Sequence, residues 1–180
     1  MNKIYYTWRD VERQTQDILR QMQLDGWRPD YVVGLTRGGL IPANLISQYL
    51  GCPMECLKVS LRDDASPPEH NCWMSEDAFG YGGVTFDGDP ARSSKPKKIL
   101  IVDDINDTGA TLNWIKKDWK SSCLPDDPKW KDIWNKSVRV ATLVDNESSK
   151  SKLDVNYSAV TVNKADKDVW IVFPWEEWWK

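Results

Sequence analysis

Ile99-Leu-Ile-Val-Asp-Asp-Ile-Asn-Asp-Thr-Gly-Ala-Thr-Leu112 decides the fold. Four apolar residues come first, then carboxylates at Asp103, Asp104 and Asp107, then Thr-Gly-Ala-Thr. A short unbroken apolar run reads as a strand buried on both faces, the kind that parallel sheets use. Downstream, Leu112, Ile115 and Trp119 recur at helical spacing, so a helix begins near Thr108. The polar turn between them then lies at the carboxyl end of a parallel strand, where open α/β sheets bind ligands.

A second strand-turn-helix unit lies upstream. Tyr31-Val-Val-Gly-Leu35 reads as a buried strand, Thr36-Arg-Gly-Gly39 as a tight turn, and Ile41 to Leu50 as a helix closed by Gly51. Thr7 followed by Asp10 predicts a capping box, and Val11, Ile18, Leu19 and Met22 carry an amphipathic helix to Gly26. Met54 to Leu61, Val138 to Val144, Tyr157 to Val162 and Val169 to Phe173 are further strand candidates. The expected fold is α/β, a mainly parallel sheet flanked by helices, with a small C-terminal hood. All 180 residues fall in one domain: a core of about 1–162, a lid loop at 63–96 within it, and hood elements at about 163–180.

The lid assignment rests on composition. Asp63 to Pro96 is polar, rich in Gly and Pro, and shows no regular element; long segments of this kind are commonly active-site lids. Within it, Phe79-Gly-Tyr-Gly-Gly83 supplies aromatic groups and hinge-capable glycines, or a short hairpin. Pro125 to Lys136 reads as a polar connection bearing tryptophan, and 174–180 has no pattern.

Charge excludes some partners. With 24 basic against 27 acidic residues and a net charge of −3, there is no basic surplus for nucleic acid or an anionic membrane. Lys95, Lys97 and Lys98 read as the solvated entry to a strand. No stretch approaches the roughly 18 apolar residues of a membrane span, and the first residues lack a secretory core, so a cytoplasmic protein is expected. Cys52, Cys56, Cys72 and Cys123 have no metal-ligand spacing, and His70 is the single histidine, which disfavours zinc, a disulfide framework and a histidine-assisted nucleophile. The 11 tryptophans are expected mainly in the core or at a subunit interface, and Trp178 and Trp179 suggest a contact surface, a homodimer in the simplest case.

The Asp103 segment resembles the 5-phosphoribosyl-1-pyrophosphate (PRPP) signature of the type I phosphoribosyltransferases: two acidic residues after a hydrophobic strand, then Asp-Thr-Gly-x-Thr. The resemblance implies that Asp107, Thr108, Gly109, Ala110 and Thr111 wrap the 5′-phosphate at a helix N-terminus. Asp103 and Asp104 would meet the ribose hydroxyls and help hold Mg2+, a hard cation that prefers oxygen ligands. For both to reach one ligand, the backbone is expected to leave strand geometry there. Thr36, Arg37, Gly38 and Gly39 resemble the family's pyrophosphate loop, with main-chain donors and a guanidinium fork for the diphosphate. Asp107 aligns with the carboxylate that takes a proton from the attacking base in the purine branch; its alternative role is a helix N-cap.

The carboxy-terminal Asp168-Val-Trp-Ile-Val-Phe-Pro-Trp-Glu176 resembles the hood of the hypoxanthine and xanthine-guanine phosphoribosyltransferases. It implies Trp170 stacked on a purine, backbone groups of Val169 to Ile171 at the base edge, and Glu176 as a second metal-associated acid. One departure stands out. Where the purine enzymes carry a lysine that donates to the 6-oxo group, this chain reads Asp145-Asn-Glu147, with Asn146 in the lysine's place and Lys150 as an alternative that reaches back. The implied substrates are PRPP and a nucleobase, with no nucleic acid and no membrane. Two alternatives stay open, a PRPP-binding regulator without catalysis and a phosphoribosyltransferase for a non-purine acceptor.

Overall fold

Alternation along the central strands decides which helix each residue meets. In a computed structural model that describes residues 2–59, 72–82 and 95–180, β2 (Tyr31–Thr36) and β4 (Ile99–Asn106) lie side by side at the middle of a sheet. Val33, Leu35, Ile99 and Ile101 face one layer; Val32, Leu100 and Val102 face the other. With apolar layers on both sides, neither face tolerates polar residues, which is why these strands read as continuous hydrophobic runs.

The sheet has five strands in the order β3-β2-β4-β5-β6, where β3 is Met54–Lys58, β5 Val138–Asn146 and β6 Tyr157–Val162. Every pairing is parallel. On one face pack α1 (Trp8–Asp25) and α2 (Leu40–Leu50), through Val11, Ile18 and Met22 and through Ala43 and Ile46. The predicted capping box is present: the Thr7 hydroxyl accepts from Asp10 N–H, the Asp10 carboxylate accepts from Thr7 N–H, and Gly26 closes the helix at φ 64°.

The other face is covered by α3 (Cys72–Phe79), α4 (Ala110–Ser122) and α5 (Trp130–Ile133). Two expectations are corrected here. The segment 63–96 is not a loop throughout, because α3 forms inside it and buries Met74, Ala78 and Phe79 in the core; the lid assignment at 63–71 and 83–94 lies outside the described residues. The Trp-bearing connection is likewise part of the core. Trp130 stacks on Trp134 at 5.8 Å between centroids, Trp134 meets Trp119 at 6.0 Å, and Phe79 meets Trp130 at 5.6 Å. These large rings fill the space over the sheet that short helices leave.

The hood is bipartite. β1 (Asn2–Tyr5) pairs in parallel with β7 (Val169–Val172), so the N-terminal strand belongs to the hood and not, as expected, to the core. Phe173 stacks on Trp175 at 4.9 Å and Tyr6 packs on Phe173, which ties both ends of the chain together beside the carboxyl end of the sheet. Of the tryptophans, Trp27, Trp119, Trp130 and Trp134 are buried, whereas Trp8, Trp73, Trp170, Trp178 and Trp179 are exposed, so the core takes fewer of them than expected. No helix among the described residues is long and apolar enough to cross a membrane.

Candidate functional site

A cavity of about 460 Å³ opens at the carboxyl ends of β2, β4 and β5, between the start of α4 and the hood. Its floor is acidic. β4 continues through Asp103 and Asp104 to Asn106, so the expected exit from strand geometry does not occur before the acidic pair; registered partners are Asp103 with Thr142 and Ile105 with Val144. Both carboxylates nevertheless line the one cavity, each turned back on the chain: Asp103 Oδ1 accepts from Asp104 N–H at 3.0 Å, and Asp104 Oδ1 from Ile105 N–H at 2.8 Å.

Burial makes this pair costly to ionise. The Asp103 carboxyl is pushed well above the ordinary carboxylate range, first by burial and then by the Asp104 charge beside it. Asp104 is pushed up to about 6, again chiefly by burial, with the charge of Glu176 adding to the rise against opposing hydrogen bonds. Thr142, the registered neighbour of Asp103, has a fully buried hydroxyl with no hydrogen-bond partner among the described residues. A floor short of positive charge suits a hard divalent cation. Among the described residues no three acids or sulfur or histidine ligands converge into a cage, so such a cation would be completed by oxygens of a substrate.

The wall opposite is the start of α4. Asp107, Thr108, Gly109, Ala110 and Thr111 all line the cavity. Gly109 is the N-cap at φ 85° and the helix has no side-chain cap, so first-turn N–H groups face outward with the positive end of the helix dipole. Asp107 is therefore not the cap. Thr108 Oγ1 accepts from Ala110 N–H at 3.3 Å, and Lys150 N–H donates to the Thr108 carbonyl at 3.0 Å, which pins the β5-β6 connection against this turn. That connection explains Gly109 as well: a Cβ there would stand 2.3 Å from the backbone nitrogen of Ser151.

From β2, Thr36 lines the cavity but Arg37, Gly38 and Gly39 do not; Arg37 is exposed and the Thr36-Arg37 peptide is cis. Gly38 instead supports the floor from below, where a Cβ would meet Asp104. From the hood come Trp170, Ile171, Phe173 and Glu176, while Val169 lies outside the lining. One oxygen of Glu176 accepts from Phe173 N–H at 2.9 Å, which fixes the turn that carries it.

Asn146 is not at the cavity, contrary to expectation. It is 5 % exposed, and its amide is consumed internally: Nδ2 donates to the Asp107 carbonyl at 2.8 Å, and Oδ1 accepts from Ser148 N–H at 3.2 Å, Ser148 Oγ at 2.8 Å and Lys164 N–H at 3.0 Å. Lys150 is exposed and also outside the lining. The cation that the alignment lacks arrives from elsewhere: Lys164, two residues beyond β6, lines the cavity with Nζ 3.0 Å from Asp107 Oδ1. The carboxyl-end rule applied to β6, as it was to β2 and β4, is the signal that points to it.

Comparison with known proteins follows the same lines. The family model described as the phosphoribosyl transferase domain matches residues 1–180. Xanthine phosphoribosyltransferase 1 of Saccharomyces cerevisiae is 21% identical over 97% of this chain and 90% of its own, and the xanthine-guanine phosphoribosyltransferase of Cereibacter sphaeroides is 26% identical over 96% and 86%. The crystal structure of a purine phosphoribosyltransferase from Pyrococcus horikoshii superposes with a TM-score of 0.63 at 27% identity, covering 98% of this chain and 95% of that one.

Proposed function

We propose a reaction for this chain from one premise: it belongs to the phosphoribosyl transferase domain family. The reaction is transfer of the 5-phosphoribosyl group of PRPP to a purine base, with release of pyrophosphate. The observation that carries it is the convergence, on one cavity, of an uncapped helix N-terminus, a buried acidic pair, the Lys164–Asp107 pair and an aromatic ring from the hood. The purine-acting relatives support the choice of base.

Each residue then has a role. First-turn N–H groups of α4 and the hydroxyls of Thr108 and Thr111 bind the 5′-phosphate, an anion placed where the helix dipole favours it. Asp103 and Asp104 accept hydrogen bonds from the ribose hydroxyls. They would also help hold Mg2+, its coordination completed by oxygens of PRPP and its contribution when bound being positive charge beside the departing pyrophosphate, while Glu176 would stand by a second such ion. Thr36 and the main chain of the turn after β2 receive the diphosphate, with Arg37 close enough in sequence to swing over it. Trp170 stacks on the purine and positions its attacking nitrogen, and Asp107 accepts the proton that this nitrogen gives up. A homodimer belongs to this reading, motivated by Trp178 and Trp179, which are 74% and 64% exposed; solution mass tests it.

The test is pyrophosphate release from PRPP and Mg2+ with hypoxanthine, guanine, xanthine, adenine, orotate and uracil offered singly. Release with one or more purines is expected. Release with a pyrimidine alone, or with nothing, overturns the proposal.

A further inference from the structure

Lys164 occupies a position that stability does not explain. Its side chain is 18% exposed, and a partly buried ion pair gives back in desolvation most of what its attraction supplies. Among the described residues, the charged side chains that line the cavity are otherwise all acids, Asp103, Asp104, Asp107 and Glu176. The ammonium stands 3.0 Å from Asp107 Oδ1 and 5.8 Å from the ring centroid of Trp170, between a carboxylate and an aromatic face. Its placement is built in from behind: Asn146 accepts from Lys164 N–H and donates to the Asp107 carbonyl, so one buried amide sets the spacing of both members.

An ammonium beside a carboxylate, on the rim of an aromatic platform, presents a donor and an acceptor side by side. The complementary ligand edge has a carbonyl oxygen next to a ring N–H. A free 6-oxopurine base offers this in its N7–H tautomer, with O6 and N7–H adjacent on one edge; in the nucleotide, where N9 carries the ribose, N7 is an acceptor and the 6-carbonyl is what remains for the ammonium to read. A 6-aminopurine turns N–H donors toward the ammonium and leaves both unpaired, which is the kind of mismatch that polar sites reject strongly.

We infer that Lys164 is the specificity residue of the base site: its ammonium leaves Asp107 for the carbonyl oxygen of a 6-oxopurine, and the same exchange frees the Asp107 carboxylate for the neighbouring ring N–H. This rests on the reaction proposed above, and it places base selection on the end of β6 in a chain whose β5 terminus is occupied by Asn146.

The test separates the two ideas. The full chain and its Lys164→Met, Lys164→Gln and Lys164→Arg variants are titrated calorimetrically with inosine 5′-monophosphate and adenosine 5′-monophosphate, which differ at the 6-substituent, and melting curves verify folding of each variant. The unaltered chain is expected to prefer the inosine nucleotide by about 10- to 100-fold, the size of one hydrogen bond to a charged group. That ratio falls toward one in Lys164→Met and Lys164→Gln and survives in Lys164→Arg. In transfer assays the Met variant raises KM for hypoxanthine more than it lowers kcat. An unchanged nucleotide ratio in the Met and Gln variants, or no inosine preference in the unaltered chain, overturns the inference. A Lys164-dependent inosine preference in a chain that releases no pyrophosphate with any base overturns the reaction and leaves the Lys164 assignment standing.

Discussion

Gly38 lies under the carboxylate of Asp104, so close that a Cβ on it would stand 2.0 Å from Asp104 Oδ2. The turn after β2 and the acidic end of β4 are thereby fitted to each other. A methyl group at 38 meets the far end of a side chain, which moves; one at Gly39 meets the Val102 carbonyl at 2.2 Å and Leu35 backbone at 2.9 Å, which does not. Gly38→Ala is therefore expected to displace Asp104 and lower kcat/KM for PRPP by about 10²-fold with little change in melting temperature. Gly39→Ala is expected to lose stability first. Steady-state kinetics beside melting curves check both, and unaltered PRPP kinetics in Gly38→Ala would sink the assigned role of Asp104.

The acidic pair also sets a pH dependence. Burial pushes the Asp104 carboxyl up to about 6 in the folded chain, above the value near 4 of an unfolded carboxylate, so between those two pH values the folded state holds more protons than the unfolded one. Stability is expected to fall as pH rises from about 4 to about 6, by on the order of 3 kcal/mol at most from this group. Asp104→Asn removes the share of the slope that this group contributes, leaving that of the buried Asp103, and, keeping an oxygen for Ile105 N–H, is expected to be the more stable protein at pH 7 without Mg2+. Urea unfolding of both proteins across this range decides the matter; parallel pH curves would refute it.

How far these features were legible follows from what each element does. β2, β4 and β5 were readable because burial on both faces demands an unbroken apolar run. β1 was not, since all four of its residues are exposed and it is defined only by its pairing with β7 at the far end of the chain. α3 escaped notice because it has eight residues within a polar segment, and α5 because it has four. At the site, Asp103, Asp104 and the Thr108–Thr111 turn stand in one local string. Lys164 comes from the turn after another strand, 57 residues beyond Asp107 in the numbering, and only the laying of β6 beside β5 brings it there. Asn146 was misplaced for the complementary reason: alignment sees its position on β5 and not the amide network that turns it inward.

Asp107 offers a cleaner separation of chemistry from structure than a capping residue would. Because the cap of α4 is Gly109, Asp107→Asn removes the carboxylate and its pairing with Lys164 without uncapping the helix. Turnover is expected to fall by ~10²–10⁴-fold, the usual contribution of a general base, with the melting temperature moving by no more than about 3 °C. Single-turnover measurement of pyrophosphate release gives the comparison, and turnover within twofold of the unaltered chain would remove the assigned proton acceptor.

Asn146 supplies the sharpest contrast between alignment and geometry. Alignment alone says that Asn146→Lys restores the base-reading lysine of the purine enzymes and improves 6-oxopurine use. The structure says the reverse. The buried amide satisfies the Asp107 carbonyl, Ser148 and the Lys164 N–H at once, and a lysine there supplies no acceptor for the last two while bringing a second ammonium beside Lys164. Position 146 is only 5 % exposed, so a lysine there must bury its charge without a paired anion while Ser148 and the Lys164 N–H lose their acceptor; at a cost of about 3 kcal/mol, Asn146→Lys is expected to lower the melting temperature by roughly 6–12 °C. Since Asp107 and Lys164 lose their common anchor, KM for the base rises as well. Melting curves and base kinetics on this one variant discriminate: an unshifted melt with improved hypoxanthine use would mean that Asn146 faces the base after all.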